Sequence, residues 1–235
     1  THYQPWGEDE QRGIVQMKNT FAKLLIVVPM KDPSQSKTRL KFDMSEHDRR
    51  HLAQKLFCRT MDVICDVRQQ LPNREIDLVV VTASSKIKRT AKNYGVNVIN
   101  ETSTGSLRDA LGQAIVWAEA RKYGSILILP ADLADPSSDE ISELISLAKP
   151  SETEVIISPS SDYGTNALLI SPPSAIPLLY GDRSFFKHYR KAVRAGFKVI
   201  VAPLPSLKHD IDRAEDLKVL KQKKPHIWKV LTHHG

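Results

Sequence analysis

The chain has 235 residues, 41% of them hydrophobic and 26% charged, the balance of a soluble globular protein with room for one α/β domain. No apolar run approaches the ~20 residues that span a bilayer, so no membrane anchoring is expected. The net charge of +7 favours an anionic ligand, but aromatics are only 6% and are not interleaved with the basic residues, which sets nucleic acid aside.

Thr1–Asn19 is polar and mixed in charge, reading as a loosely held arm and not as a signal peptide. Leu24–Met30 reads as a first strand, and Ser45-Glu-His-Asp48 as a capping-box-like start to a helix carrying Leu52, Leu56, Val63, Ile64 and Val67 on one side. Within that helix Cys58 and Cys65 stand seven apart. That spacing is too long for a bridge, so both are expected to be reduced residues of a cytoplasmic protein. Ile76–Thr82 is a second strand and is followed by a short helix to Tyr94. Val96–Ile99 is a third, followed by a stripe at Leu107, Leu111, Ala114, Ile115 and Ala118.

Ser125–Leu129 is uncharged and rich in long apolar residues, as in a strand buried on both faces of a parallel sheet. A helix with Ile141, Leu144 and Ile145 follows, then strands at Glu154–Ser158 and Ala167–Ile170. A late helix is marked by Phe185, Tyr189 and Val193, and a late strand by Lys198–Ala202. The C-terminal lysines Lys218, Lys221, Lys223 and Lys224 read as a solvated helix end and tail. The alternation of strands and helices predicts an α/β fold with a mainly parallel sheet and right-handed crossovers.

Four segments carry chemistry. Asp132 follows the Ser125–Leu129 strand and Pro130, at the edge where open α/β sheets bind ligands. A carboxylate there suits a hard divalent cation, although the residues equally allow a turn that caps the next helix. The loop after the first strand has no glycine, so it is neither a dinucleotide fingerprint nor a P-loop. It offers Lys31, Lys37 and Arg39, either as a grip on polyphosphate or as a solvated basic loop. Gly164, Thr165 and Asn166, with Gly181 and Ser184, provide a turn, a hydroxyl and a helix start, which suit a phosphate or carboxylate or form an ordinary capped helix. Asp210 and Asp212 flank Ile211, so alternation points both to one side, as a second carboxylate source or as helix caps.

In this order the segments PMK…SKTRL, PADLA, GTNAL, YGDRSFFKH and DIDRAEDL resemble the 2-phospho-L-lactate guanylyltransferase family of coenzyme F420 biosynthesis, from about Leu24 to Leu217. The family pattern is P-x-K…A-K-[ST]-R-L, P-x-D-[LI]-P, G-T-N-A-L, F-G-x-x-S-F-x-x-H and D-[IV]-D-T-P-x-D-L. The resemblance implies a Rossmann-like nucleotide-diphospho-sugar transferase sandwich of the GT-A-like group. It implies transfer of GMP from GTP to 2-phospho-L-lactate, phosphoenolpyruvate or 3-phospho-D-glycerate, with release of pyrophosphate; family frequency favours the first acid.

On the same resemblance, Thr165, Gly181 and Ser184 bind the phospho-acid with Gly164 and Asn166 beside them. Asp132, Asp210 and Asp212 hold Mg2+, and Lys31, Lys37 and Arg39 lie on the triphosphate loop. The implied organisation is an arm over 1–19, a nucleotidyltransferase domain over 20–220 and a tail over 221–235, in a cytoplasmic enzyme compatible with a homodimer. Two positions depart from the pattern. Ala134 replaces a proline, and Leu107-Arg108-Asp109 stands where Leu-Asn is usual, which bears on base choice. A cytidylyl- or sugar-nucleotide transferase, or an inactive nucleotide-binding homologue, would share the sheet and the carboxylates.

Overall fold

A computed structural model describes residues 23–101, 106–149 and 152–233; the arm expected over 1–19 lies outside them. The strands are β1 (Leu24–Pro29), β2 (Ile76–Thr82), β3 (Asn97–Asn100), β4 (Ser125–Ile128), β5 (Glu154–Pro159), β6 (Thr165–Ser171) and β7 (Lys198–Val201). The helices are α1 (Glu46–Gln70), α2 (Ser85–Asn93), α3 (Leu107–Ala120), α4 (Ser138–Leu147), α5 (Ser184–Arg194), α6 (Ala214–Lys223) and α7 (Pro225–Thr232). The sheet order is β3-β2-β1-β4-β6-β5-β7. Every neighbouring pair is parallel except those made by β6, which runs antiparallel to β4 and β5.

The order turns back between β1 and β4, which makes the carboxyl ends of those two strands the switch point where α/β sheets bind ligands. Because β6 is reversed, its first residues, Thr165 and Asn166, reach the same edge (Ile128 pairs with Leu168).

Both sheet faces are covered, so the central strands read as unbroken apolar runs. On β1, Leu24, Ile26 and Val28 face the layer of α1, α2 and α4, while Leu25 and Val27 face that of α3 and α5. Ser45 caps α1 by accepting a hydrogen bond from the Asp48 amide at 3.1 Å, as the sequence predicts.

Two expectations change. On α5 the buried face is Ser184, His188 and Ala192, while Tyr189 and Val193 stay exposed. The helix is seated by the hydrogen bonds of its histidine, Phe185 packs half-buried against the core, and the rest of the expected stripe turns outward. The segment read as a solvated tail from 221 is structured as far as 232. Ile227 and Leu231 of α7 are buried with Leu52 and Leu56 of α1 and with Leu40, Ile211 and Leu217. Burial of two such side chains contributes roughly 1.5–3 kcal/mol each, enough to fold a short amphipathic segment back onto α1. Among the described residues no helix is long and apolar enough to cross a membrane.

Candidate active site

The loop after β1 is fastened at both ends. Asp32 caps a 3₁₀ turn by accepting from the Ser34 amide at 2.9 Å and the Ser34 hydroxyl at 2.6 Å, and its second oxygen accepts from Ser84 at the start of α2. Those hydrogen bonds, the Ser34 one foremost, hold the Asp32 carboxyl below its ordinary pKa. At the far end Leu40 is fully buried against α1 and α7. Between the anchors Lys37 takes a left-handed backbone, φ 56°, which folds its side chain inward.

After β4, Asp132 and Leu133 meet the segment that precedes α6. Leu133 bridges Asp210, the Ile211 amide donates to the Asp132 carbonyl at 3.1 Å, and the Ala134 amide donates to the His209 carbonyl at 3.0 Å. This short antiparallel zip turns Ile211 into the core. It brings carboxylate oxygens of Asp132, Asp210 and Asp212 within 4.8 Å of one another, as the alternation of the D-I-D segment predicts. Asp216 plays the other part available to that segment. It caps α6, accepting from the Asp212 and Arg213 amides at 2.9 and 2.7 Å. Asp135 is held by Arg59 and Lys224, which ties the zip to α1.

Lys37 is the cation of this cluster. Its Nζ lies 2.6 Å from Asp132 Oδ2 and 3.1 Å from Asp212 Oδ1, and its side chain is 3% exposed. Burial opposes the charge, but Asp132 and Asp212 outweigh it and hold the ammonium above its ordinary pKa. Burial, and then repulsion from Asp132 and Asp212, push Asp210 up to about 6. The loop cations therefore divide. Lys37 serves the carboxylates instead of presenting itself at the surface, Arg39 reaches Asp212 from the exposed side at 3.5 Å, and Lys31 is exposed. The donor set is three carboxylates at a strand edge, which fits a hard divalent cation.

The second cluster lies along β6 and α5. Thr165 Oγ1 is 3.0 Å from His188 Nδ1, Ser184 Oγ is 3.1 Å from Thr165 Oγ1, and the Leu179 amide donates to His188 Nε2 at 2.8 Å. The Thr165 hydroxyl thus lies between the His188 ring and the Ser184 hydroxyl. Ser184 is the first helical residue and not the cap, a place taken by Arg183 with left-handed backbone.

The amides of Ser184 and Phe185 already donate to the Gly181 and Tyr163 carbonyls, so this helix start offers fewer free donors than the sequence suggests. Gly181 has φ +120°, a conformation for glycine alone. Gly164 is required by space, since a Cβ there would lie 2.6 Å from Ser160 Oγ. Asn166 donates to the Leu207 carbonyl at 2.8 Å and so pins the segment before the D-I-D zip.

Sequence reasoning gave no role to Asp32, Ser84 or His188, although His188 closes the YGDRSFFKH segment. His188 alone of the three had a legible signal: it ends that motif, and it stands four residues after Ser184, hence on the same helical face. Arg108 lies exposed in the first turn of α3, where Asp109 and Ser106 cap each other.

Comparisons with known proteins agree with this geometry. A family model described as "Guanylyl transferase CofC like" matches residues 24–222. A 3-phospho-D-glycerate guanylyltransferase from Colwellia psychrerythraea is 40% identical over 83% of this chain and 90% of its own. A phosphoenolpyruvate guanylyltransferase from Roseiflexus castenholzii is 32% identical over 86% of this chain and 90% of its own. A 2-phospho-L-lactate guanylyltransferase from Methanothermobacter thermautotrophicus is 29% identical over 83% and 82%. Among solved structures, a protein assigned as a nucleotide-diphospho-sugar transferase from Desulfovibrio desulfuricans shares the fold with a TM-score of 0.69 at 16% identity, covering 89% of this chain and 94% of that one. With the carboxylate cluster at the switch point and this match across nearly all the described residues, the chain belongs to the CofC-like guanylyl transferase family and is a guanylyltransferase of coenzyme F420 biosynthesis.

Proposed function

We propose that the protein transfers GMP from GTP to 3-phospho-D-glycerate, releasing pyrophosphate, with Mg2+ at Asp132, Asp210 and Asp212. The acceptor of a guanylyltransferase of this family is a small phospho-acid. The choice among the three known acids rests on the 40% identity to the Colwellia relative, against 32% and 29% for relatives named for the other two. The observation that carries the mechanism is the buried Lys37 ammonium among three carboxylates at the switch point.

Nucleotidyl transfer needs positioning and charge neutralisation more than a protein nucleophile. An oxygen of the acceptor phosphate attacks the α-phosphorus of GTP in line as the bond to pyrophosphate breaks. That phosphate is ionised near neutral pH, so no general base is required. Lys37, released from Asp132 and Asp212 when a cation takes their charge, neutralises charge on the transferring phosphoryl group, and Lys31 and Arg39, exposed on the loop, steady the departing pyrophosphate. A bound divalent cation supplies Lewis-acid neutralisation of phosphate oxygens, and the zip between Leu133 and Asp210 keeps its carboxylates in place. Thr165 and Ser184, shaped by Gly164 and Gly181 and braced by Asn166, receive the phospho-acid. Cys58 and Cys65 are free thiols, in keeping with a cytoplasmic enzyme.

The test is a pyrophosphate-release assay pairing each nucleoside triphosphate with each of the three acids, with and without chelator. Release with GTP and 3-phospho-D-glycerate that chelator abolishes is the expected result. Faster release with CTP, or with either other acid, would reject the corresponding choice.

A further inference from the structure

We infer that His188 is a positioning residue that makes the buried Thr165–Ser184 hydroxyl pair a net hydrogen-bond donor toward an acceptor outside the protein. The inference rests on the reading of that pair as the phospho-acid site.

The proton count follows from the partners of the ring. Leu179 N–H points at Nε2 from 2.8 Å, so Nε2 must accept. A neutral imidazole then carries its proton on Nδ1, and Nδ1–H donates to Thr165 Oγ1 at 3.0 Å. Thr165 and Ser184 share one further hydrogen bond, at 3.1 Å. Each hydroxyl has one proton, so the pair has two, and the shared bond uses one of them. The other has no acceptor, because the ring nitrogen beside Thr165 is itself a donor. Neither hydroxyl makes any other hydrogen bond among the described residues.

Were the ring in the opposite tautomer, Thr165 would donate to Nδ1, Ser184 would donate to Thr165, and no proton would be left over. The backbone of Leu179 thus sets, through the ring, whether the pair offers a donor. The ring itself cannot drift. It is fully buried, and Tyr180 packs on it edge to face with centroids 5.0 Å apart. Burial also keeps it neutral, which this arrangement needs, since a proton on Nε2 would confront the Leu179 amide.

A lone surplus O–H at the sheet edge that also carries Asp132 suits an anionic oxygen. A phosphate or carboxylate oxygen accepts it, and the negative charge strengthens that hydrogen bond over one to a neutral acceptor. His188 therefore contributes to selection of an anionic acceptor without touching it.

The test has two arms on the full chain. Histidine-selective 15N NMR of the wild-type protein near neutral pH reads the tautomer directly, with the proton expected on Nδ1; a proton on Nε2 would overturn the inference whatever the kinetics. Steady-state kinetics then compare His188→Phe, His188→Asn and Ser184→Ala. His188→Phe removes the donor and is expected to raise the phospho-acid KM by about tenfold or more with the GTP KM unchanged. His188→Asn restores an N–H near the Nδ1 position and should recover most of that loss, which a merely space-filling role would not allow. If Ser184→Ala raises the phospho-acid KM and His188→Phe does not, the inference fails while the pocket stands. If Ser184→Ala has no effect either, the pocket reading fails and takes the donor role with it.

Discussion

Lys37→Met is the most exposing perturbation of this site, because it removes one charge while keeping an unbranched side chain only one atom shorter and the left-handed backbone at φ 56°. The ammonium contacts Asp132 at 2.6 Å and Asp212 at 3.1 Å. Without it, three carboxylates that lie within 4.8 Å keep, among the described residues, only the exposed Arg39 as an ion-pair partner. Loss of one member of a buried ion pair costs about 3–5 kcal/mol. Asp132 and Asp212 are 32% and 40% exposed, and solvent screening reduces the cost to about 2 kcal/mol.

For a chain of this size that lowers the melting temperature by about 4–8 °C. A divalent cation at a hundredfold excess over its Kd stabilises by about 2.7 kcal/mol. In the wild type part of that is spent displacing Lys37, whereas in the variant the carboxylates are already free. Thermal melts in metal-free buffer and with added Mg2+ should therefore show a lower starting point and a larger Mg2+ shift for Lys37→Met. Equal starting points with equal shifts would refute the view that lysine and cation compete for the same carboxylates.

Asp132→Asn should lower kcat/KM by about a hundredfold or more while far-UV circular dichroism is unchanged. Lys31→Ala with Arg39→Ala should weaken GTP binding in titrations far more than phospho-acid binding; equal losses would misplace the loop. Tyr180→Phe should raise the melting temperature by about 2–4 °C, because the Tyr180 hydroxyl is buried with no hydrogen-bond partner and its removal ends a desolvation cost. Burial and the nearby Lys187 hold His188 down at about 4 from 6.5. As pH falls through that window the unfolded chain takes up a proton that the folded one refuses, and stability drops by at most about 3 kcal/mol. Asp210, raised to about 6, acts in the opposite sense there. Chemical denaturation from pH 7 to 4 should therefore show the stability advantage of wild type over His188→Phe narrowing as pH falls, and a constant difference would refute it.

Most of the architecture is legible because each central strand is buried on both faces and so reads as an apolar run. Ile76–Thr82 coincides with β2, and the others differ by a residue or two at their ends. The grouping of Asp132 with Asp210 and Asp212 was within reach, since alternation in a D-I-D segment fixes the side and the end of β4 fixes the edge. The fate of Lys37 was not. Whether a loop cation faces solvent or a carboxylate depends on a left-handed turn and on Leu40 anchoring the loop to the remote α1 and α7, and neither leaves a periodic mark. On α5 the periodicity misled, because the aromatic residues give the stronger apolar signal while a histidine hydrogen-bonded at both nitrogens decides which face is buried. The segment beyond 221 shows the same limit. Ile227, Trp228, Val230 and Leu231, coming after a run of lysines, look like a tail until α1 supplies a surface for Ile227 and Leu231.

The cluster around Lys37 draws on three remote stretches of the chain: the lysine is separated from Asp132 by 95 positions and from Asp212 by 175. A ribosome delivers these in order. Lysine and first aspartate can meet while the later segments are still being made, but the zip that orients both must wait for Asp210. Closing such long loops is slow relative to local structure, so the reactive centre is expected to be among the last parts to mature. A nascent chain ending before the D-I-D segment would already hold most of its sheet and no means of gathering the three carboxylates. Capacity to bind a divalent cation through them thus doubles as a signal that synthesis has passed that segment and the two ends of the fold have met.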